Sequence, residues 1–208
     1  TASGVPTGAN IVFAATVGGS GQTLGLTAGS NGNVVFAAQL GASGSELGAI
    51  TIASANNVAG DTTATLNAGA IYAASLTQTT GAGTTRLGVV ATTAGAGVNL
   101  TAHQITANGT ITTTGSGIVT LHATVGAATR NLLIAGGSTI TATGAVDLTG
   151  TDLLQTSANV VTSGAVVSFN SALTLGSGIT VNTTSGVPTG ANIVFAATVG
   201  GSGQTLGL

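Results

Sequence analysis

The hexapeptide NIVFAA at residues 10–15 recurs 23 positions later as NVVFAA at residues 33–38. The same offset carries the pair SG at 20–21 onto SG at 43–44. A recurrence of roughly 20 to 26 residues is the length of one coil of a β-solenoid, in which each coil is a few short strands joined by turns. The spacing therefore predicts a chain of stacked coils.

A second and much longer recurrence encloses the first. Residues 3–26 read SGVPTGANIVFAATVGGSGQTLGL, and residues 185–208 read the same, an offset of 182 positions. We interpret residues 1–182 as one complete tandem repeat and residues 183–208 as the start of the next, identical over 24 residues. A single local duplication is the alternative interpretation. Division by the 23-residue period gives about eight coils per long repeat, or roughly 38 Å at about 4.8 Å between stacked strands.

The local pattern favours strands. β-Branched and small residues alternate in STITAT at 138–143 and in GITVN at 178–182, as is typical of half-buried strands. Pairs such as Asn31-Gly32 and Asn108-Gly109 suit the turns between them, and no window keeps helical spacing for three turns. The sequence predicts an all-β fold, a single-stranded parallel β-helix (β-solenoid) with coils of about 23 residues. A β-sandwich would also use short strands with frequent turns.

Composition narrows the class of protein further. Only 3% of the residues are charged, the net charge is −2, and the mean hydropathy is +0.58. This near-neutral charge argues against nucleic acid as a partner, which demands clustered Lys and Arg. Apolar runs last only about five residues, whereas a membrane-spanning helix needs about twenty. With no Cys in the chain, we expect neither disulfides nor a thiolate metal site.

Equivalent positions of neighbouring coils lie above one another in a solenoid, so like side chains meet. Phe36 follows Phe13 by 23 positions, and Phe195 follows Phe169 by 26. With the 182-residue shift, these residues and their copies are expected in three successive coils as an interior aromatic stack, beside a short Asn ladder at a turn. The residues predicted to stack are Phe13, Phe36, Phe169, Phe195, Asn10, Asn33 and Asn192.

Candidate catalytic and metal-binding groups are few. His103 and His122 lie 19 positions apart, close to one coil, but two ligands are too few for zinc, which takes three or four. Asp147 and Asp152 are the closest carboxylates, the chain has no Lys, and its two arginines lie apart from these acids in sequence. Acid–base catalysis needs paired groups with divergent pKa values. We therefore predict no catalytic residues, no metal, no cofactor and no enzymatic activity.

Threonine-rich strands leave a binding surface open as an alternative. Stacked Thr-x-Thr strands can present a flat array of hydroxyl and methyl groups to ice or to a glycan, although outward Thr also simply favours strands. These Thr pairs do not recur in every coil. The candidates for such a face are Thr110, Thr112, Thr114, Thr139, Thr141 and Thr143.

Four longer segments carry a family resemblance. NIVFAATVGG (10–19), ITTTGSGIVTL (111–121), GSTITATGAVDL (137–148) and LTLGSGITVNTTSG (173–186) resemble the β-strand repeats of large bacterial exoproteins, such as filamentous-haemagglutinin-like adhesins and autotransporter passenger regions. The resemblance implies a right-handed parallel β-helix, secreted and displayed at the bacterial cell surface as a stalk, adhesin or fibre. Near identity between long repeats and the low charge are more typical of a material than of a varied adhesin surface.

The expected function follows from the tandem copy and the low charge. We expect a structural fibre or stalk in which adjacent repeats of the same chain stack end to end. With little electrostatic repulsion between neighbours, identical filaments are also expected to bundle laterally. Because an unpaired strand edge recruits other strands, we expect the isolated 208-residue chain to associate end to end or to aggregate.

Overall fold

The computed structural model describes residues 8–59, 69–124 and 131–208, and these segments contain short β-strands and no helix. In chain order the strands are β1 (Ile11–Phe13), β2 (Leu24–Thr27), β3 (Val34–Phe36), β4 (Leu47–Ser54), β5 (Val58–Ala59), β6 (Ile71–Gln78), β7 (Thr84–Leu87), β8 (Val90–Thr92), β9 (Val98–Ala102), β10 (Gln104–Ala107), β11 (Ile111–Thr113) and β12 (Val119–Ala123). They continue as β13 (Leu132–Ile134), β14 (Thr139–Ala142), β15 (Val146–Gly150), β16 (Leu154–Thr156), β17 (Asn159–Thr162), β18 (Val167–Phe169), β19 (Leu173–Leu175), β20 (Ile179–Asn182), β21 (Ile193–Phe195), β22 (Val199–Gly200) and β23 (Leu206–Gly207).

These strands stack in parallel as a β-solenoid. Every ladder joins strands in the parallel sense, and each partner lies about one coil away in sequence, as Ile11 pairs with Val34. The predicted fold class is confirmed: the chain is all-β, with about eight turns at a spacing of about 23 residues. The β-sandwich alternative is wrong, because a sandwich is built from antiparallel sheets.

Each coil has three faces. Face 1 is the nine-stranded sheet β1-β3-β5-β7-β10-β13-β16-β19-β22. The fourteen-stranded sheet forms the other two, joined by long strands such as β6, whose first half pairs with β8 and whose second half pairs with β9. Ser75 and Leu76 are both buried, which breaks the inward–outward alternation of a straight strand and marks a corner. Face 2 comprises the first half of β6 with β8, β11, β14, β17, β20 and β23, and face 3 comprises β2, the second halves of β4 and β6, β9, β12, β15, β18 and β21.

The core runs along the axis as columns of like side chains. On face 3, Leu100, Leu121 and Leu148 follow one another in register, each at most 1% exposed. Burying one such side chain stabilises the fold by about 1.5–3 kcal/mol relative to leaving it exposed. Intervening residues point outward, as the burial of alternate positions in Val98–Ala102 shows. Short aliphatic side chains therefore suffice, because every coil adds one more layer to the same narrow core.

Coil length varies while the faces stay aligned. Ile179 pairs with Leu206 after 27 residues, whereas Leu154 pairs with Leu173 after only 19. The segments between the strands differ in length accordingly, and some corners have tight backbone geometry. Gly41 has φ of +65°, and a Cβ there would lie 2.1 Å from the backbone oxygen of Tyr72. Only glycine fits this corner without strain.

The two identical segments occupy different faces. Ile11–Phe13 lies on face 1 as β1, but its copy Ile193–Phe195 lies on face 3 as β21. Val17 bridges Leu40 in the face 2 column, whereas its copy Val199 begins β22 on face 1. Strand β2 on face 3 likewise corresponds to β23 on face 2. All three elements keep their order, and all are displaced by one face in the same sense.

This displacement gives the number of coils in one long repeat. Seven coil steps lead along face 1 from Ile11 to Leu173, and two further faces lead through Ile179 to Ile193. The 182-residue repeat therefore spans seven and two-thirds coils, which refines the expected figure of about eight. The second copy of the duplicated segment is therefore rotated by one face, a third of a turn, relative to the first.

Candidate functional surfaces and stacked side chains

The phenylalanines form two interior pairs on different faces. The rings of Phe13 and Phe36 lie 5.6 Å apart on face 1, tilted by 31°. Those of Phe169 and Phe195 lie 5.1 Å apart on face 3 and are stacked at 5°. Phe13 and Phe195 are the same position of the long repeat, so each pair contains one copy of that phenylalanine; the three-ring stack stays a prediction. Such ring contacts stabilise by about 0.5–1.5 kcal/mol beyond the area they bury.

An asparagine ladder runs along the turn before face 1. The side-chain amide of Asn33 donates to Oδ1 of Asn10 at 3.1 Å, and that of Asn57 donates to Oδ1 of Asn33 at 2.9 Å. The backbone N–H of Thr84 ends the ladder by donating to Oδ1 of Asn57 at 2.8 Å. Sequence reasoning missed Asn57, although its 24-residue distance from Asn33 matches one coil. Asn192, at the other end, is exposed, and its backbone oxygen accepts a hydrogen bond from the N–H of Val167.

A column of buried threonines, which the sequence did not single out, closes the corner between faces 2 and 3. Two of its hydroxyls donate to a carbonyl of the turn that leads to face 3: Thr113 to Gly117 at 2.5 Å and Thr183 to Ala191 at 2.9 Å. Thr92 lies in register with Thr113, but its Oγ1 is buried without a partner among the described residues. The sequence did contain evidence for this column, because the alternation along the strand that places Thr112 outward places Thr113 inward. The column as a whole is Thr92, Thr113, Ala142, Thr162 and Thr183.

The outward threonines of face 2 form a short array. Thr112 and Thr141 lie in register on face 2, but Ala91 precedes them and Val161 follows. The hydroxyls of the flanking threonines are partly used within the fold, as Thr114 donates to the backbone oxygen of Thr92 at 3.4 Å. The remaining candidates lie as follows: Thr110 in the turn before β11, Thr139 at the start of β14 beside Asn159, and Thr143 after β14 with its hydroxyl on the oxygen of Thr113.

The charged and histidine side chains of the described residues lie on separate parts of the coil. His122 on β12 lies between Thr101 and Thr149, and His103 lies in a turn where its backbone N–H donates to Gly81. Asp147 faces outward on β15 and accepts a hydrogen bond from the side chain of Asn170 at 2.7 Å. The described residues hold no group of three metal-ligating side chains. Asp61 and Arg130 lie outside the described residues, and Arg86 and Asp152 lie on face 1 and in the turn after β15, respectively.

The Glu46 carboxylate accepts a hydrogen bond from the backbone of its own turn. The backbone N–H of Gly44 donates to its Oε1 at 2.7 Å. This hydrogen bond, with a second from the N–H of Glu46 itself, lowers the pKa of the Glu46 carboxyl below its ordinary value. The side chain is half-buried, and its carboxylate helps to close the local turn between Leu40 and β4.

Comparisons with family models, curated proteins and solved structures find no match to this chain. Within the described segments, no helix is long and apolar enough to cross a membrane. The class of molecule is therefore defined by the fold itself, a repeat protein built as a parallel β-solenoid. Its most distinctive features are the stacked columns of Phe, Asn and buried Thr, and the duplicated segment that recurs one face further on.

Proposed function

We propose that this chain is the structural repeat of a long bacterial fibre or stalk, secreted and displayed at the cell surface, with no catalytic role. The observation that carries the proposal is the duplicated 24-residue segment. Both copies form the same three elements in the same order, and the second copy is paired with the coil before it. Further repeats could be added in the same way, because each would pair with the preceding coil through strand contacts that the structure already contains.

The surface chemistry supports a structural role. Charged residues make up only 3% of the chain, and like charges stacked one coil apart would repel. The parallel ladders place their backbone hydrogen bonds along the axis of the rod, so that axial load falls on a continuous series of them. A weakly charged surface also opposes lateral contact between identical rods only weakly. The proposal therefore includes bundling of identical fibres side by side.

Diffraction or imaging of the native filament tests this function. We expect a meridional spacing near 4.8 Å, an axial repeat of about 37 Å for seven and two-thirds coils, and a full return after about 110 Å. The longer spacing distinguishes the one-face rotation from a repeat with an integral number of coils. A source protein that contains only one such repeat, or a strand spacing that lies across the filament axis, would refute the proposal.

A ligand-binding face is the second candidate. The observation that favours it is the in-register pair Thr112 and Thr141, which places two outward side chains of the same kind one coil apart. The substrate class would be ice or a neutral glycan, since both are recognised by hydroxyl and methyl groups without charge. Thermal hysteresis and a glycan array test the idea with wild type and Thr112→Val/Thr141→Val. Absence of both activities in the wild type would leave the structural role alone.

A further inference from the structure

The two copies of the duplicated segment pair through opposite edges. We call residues 10–27 the N-terminal coil and residues 192–208 the C-terminal coil. Among the described residues, the N-terminal coil pairs with the coil that follows it, through β1 with β3 and β2 with β4. The C-terminal coil pairs with the coil that precedes it, through β21 with β18, β22 with β19 and β23 with β20. Within the part of the chain that the structure describes, each copy therefore uses one edge and leaves the other unpaired.

On the Ile-Val-Phe strand, the backbone groups show which residues use each edge. In the N-terminal coil, the N–H of Ile11 donates to the oxygen of Asn33 at 2.8 Å, and the oxygen of Phe13 accepts from Ala37 at 3.0 Å. The backbone groups of Ile11 and Phe13 thus point toward the following coil. Those of Asn10, Val12 and Ala14 point the other way, since successive residues of a strand alternate.

In the C-terminal coil the complementary set is used. The oxygen of Asn192 accepts from the N–H of Val167 at 3.1 Å, and the N–H of Ala196 donates to the oxygen of Phe169 at 2.9 Å. Asn192 and Ala196 are the copies of the residues whose groups are free in the N-terminal coil. The same sequence therefore pairs through both of its edges, one in each copy. The free edge of either copy is the edge that the other copy already uses.

The other two faces repeat this arrangement. On one, the N–H of Val17 donates to Gln39 at 3.0 Å, while the oxygen of Thr198 accepts from Leu173 at 2.9 Å. On the other, Leu24 pairs with Ile50 of the following coil. The copy of its neighbour, Thr205, accepts from the N–H of Ile179 at 3.0 Å. All three strands of the coil thus have two competent edges.

Exposed apolar side chains concentrate at the same two places. The exposed large hydrophobic residues among those described are Val12 at 58%, Val166 at 37%, Val194 at 41%, Val199 at 40% and Leu208 at 74%. All except Val166 belong to the N-terminal or C-terminal coil, and Val166 lies beside the C-terminal coil at the start of β18. Apolar surface and unpaired strand edges together mark sites for pairing with another chain.

The geometry points to a head-to-tail interface between two copies of this chain. The C-terminal coil of one molecule pairs in register with the N-terminal coil of the next. The N–H of Ile193 donates to the oxygen of Asn10 of the second molecule, and the N–H of Ala14 of the second molecule donates to the oxygen of Phe195. Phe13 of the second molecule stacks on Phe195, which joins the two phenylalanine pairs into a column of four rings. The second molecule is rotated by one face about the axis.

Opposed charges at one position test this interface. Val194 and Val12 face outward and meet across the proposed junction, but they lie at opposite ends of one molecule. The variant V12K/V194E places opposite charges at every junction, and V12K/V194K places like charges there. The charge-reversed pair V12E/V194K controls for Asp147, two strands from residue 194. In sedimentation velocity at low salt, both opposite-charge variants should associate about two- to thirty-fold more tightly than the like-charge variant.

The difference should fall as salt is raised, since exposed charges are screened. Equal association of the three variants at low salt would overturn the proposed contact. So would an unmodified chain that stays monomeric at several hundred micromolar. The native fibre could still be a covalent array in either case, so failure here leaves the proposed function untouched.

Disulfide cross-linking tests the rotation, because the chain has no Cys of its own. Adjacent strands about 4.8 Å apart lie within disulfide reach. Val12→Cys with Val194→Cys should give a ladder of intermolecular cross-links under mild oxidation. Val12→Cys with Gly200→Cys should not, since Gly200 lies on face 1. A ladder only in the second variant would mean that faces stack without rotation and would refute the register, as would cross-linking in neither.

Discussion

The unpartnered hydroxyl of Thr92 gives a stability prediction that runs against the usual direction. A buried polar group without a hydrogen bond costs about 1–3 kcal/mol, and Oγ1 of Thr92 is buried with no partner in the part of the chain that the structure describes. Thr92→Val keeps the shape of the side chain and removes the oxygen. Most core substitutions destabilise, but here we expect a gain of about 1 kcal/mol in the free energy of unfolding.

Thr113→Val is the matched control, one coil further along the same column. Its hydroxyl donates to the oxygen of Gly117 at 2.5 Å. That oxygen also accepts from the N–H of Gly144 at 2.9 Å, so it keeps one partner when the hydroxyl is removed. The loss is then that of one hydrogen bond, about 1 kcal/mol. The two valine variants should therefore differ by about 2 kcal/mol, or about 4–8 °C in Tm for a chain of this length.

Urea unfolding followed by far-UV circular dichroism measures both values. The fluorescence of Tyr72 gives a second signal, because the chain has no Trp and no other Tyr, and Tyr72 pairs with Ala91 beside Thr92. If Thr92→Val destabilises the chain as much as Thr113→Val does, the hydroxyl of Thr92 has a partner in solution. The account of the column as a set of corner hydrogen bonds would then fail at this position.

Three further predictions rest on other parts of the structure. Phe169→Ala should lower the free energy of unfolding in urea by about 3–5 kcal/mol, since the ring is fully buried. Phe13→Ala should lower it less, because that ring is only partly buried at the end of the rod. Equal losses would contradict the packing. Gly41→Ala should lower Tm by several degrees, because the added Cβ would lie 2.1 Å from the backbone oxygen of Tyr72. Gly18→Ala should leave Tm nearly unchanged, because no atom lies within 4 Å of its Cβ. The reverse order would refute the corner geometry. The pKa of Glu46 is lowered in the folded state. Its contribution to stability is therefore present above the unfolded-state pKa and is lost as pH falls through the folded-state pKa. NMR titration should give a midpoint below the ordinary glutamate value, and an ordinary midpoint would contradict the turn hydrogen bond.

The length of one coil could be predicted from the sequence because residues of the same type stack on one another in adjacent coils of a solenoid. Asn10 and Asn33, at an offset of 23, form a hydrogen-bonded pair, and Phe13 and Phe36, at the same offset, form a ring pair. Each recurrence reports a contact one coil away, so like residues at a fixed offset are direct evidence for stacking. The fold class followed from a few such pairs.

The faces could not be predicted in the same way. Across the strand ladders, paired residues lie from 19 positions apart, as for Leu154 and Leu173, to 29 apart, as for Ile111 and Ile140. The segments that join the strands set these lengths, and the geometry of a turn depends on contacts with the coils on either side. Dividing 182 by a mean period therefore gives about eight coils but cannot show that the repeat ends one face short. The buried position of Thr113 could not be predicted, because threonine can occupy either the inward or the outward face of a strand.

The rotation between successive repeats has a consequence for the stiffness of a long fibre. The faces are unequal: strands β9, β12 and β15 on face 3 have five residues, whereas β11 and β13 on the other faces have three. A coil with unequal sides gives the rod a cross-section that resists bending more in one direction than in another. If each repeat is turned by a third, three successive repeats present the same side in three directions, and this difference averages out. A long array of this repeat would then be equally stiff in whichever direction it is bent.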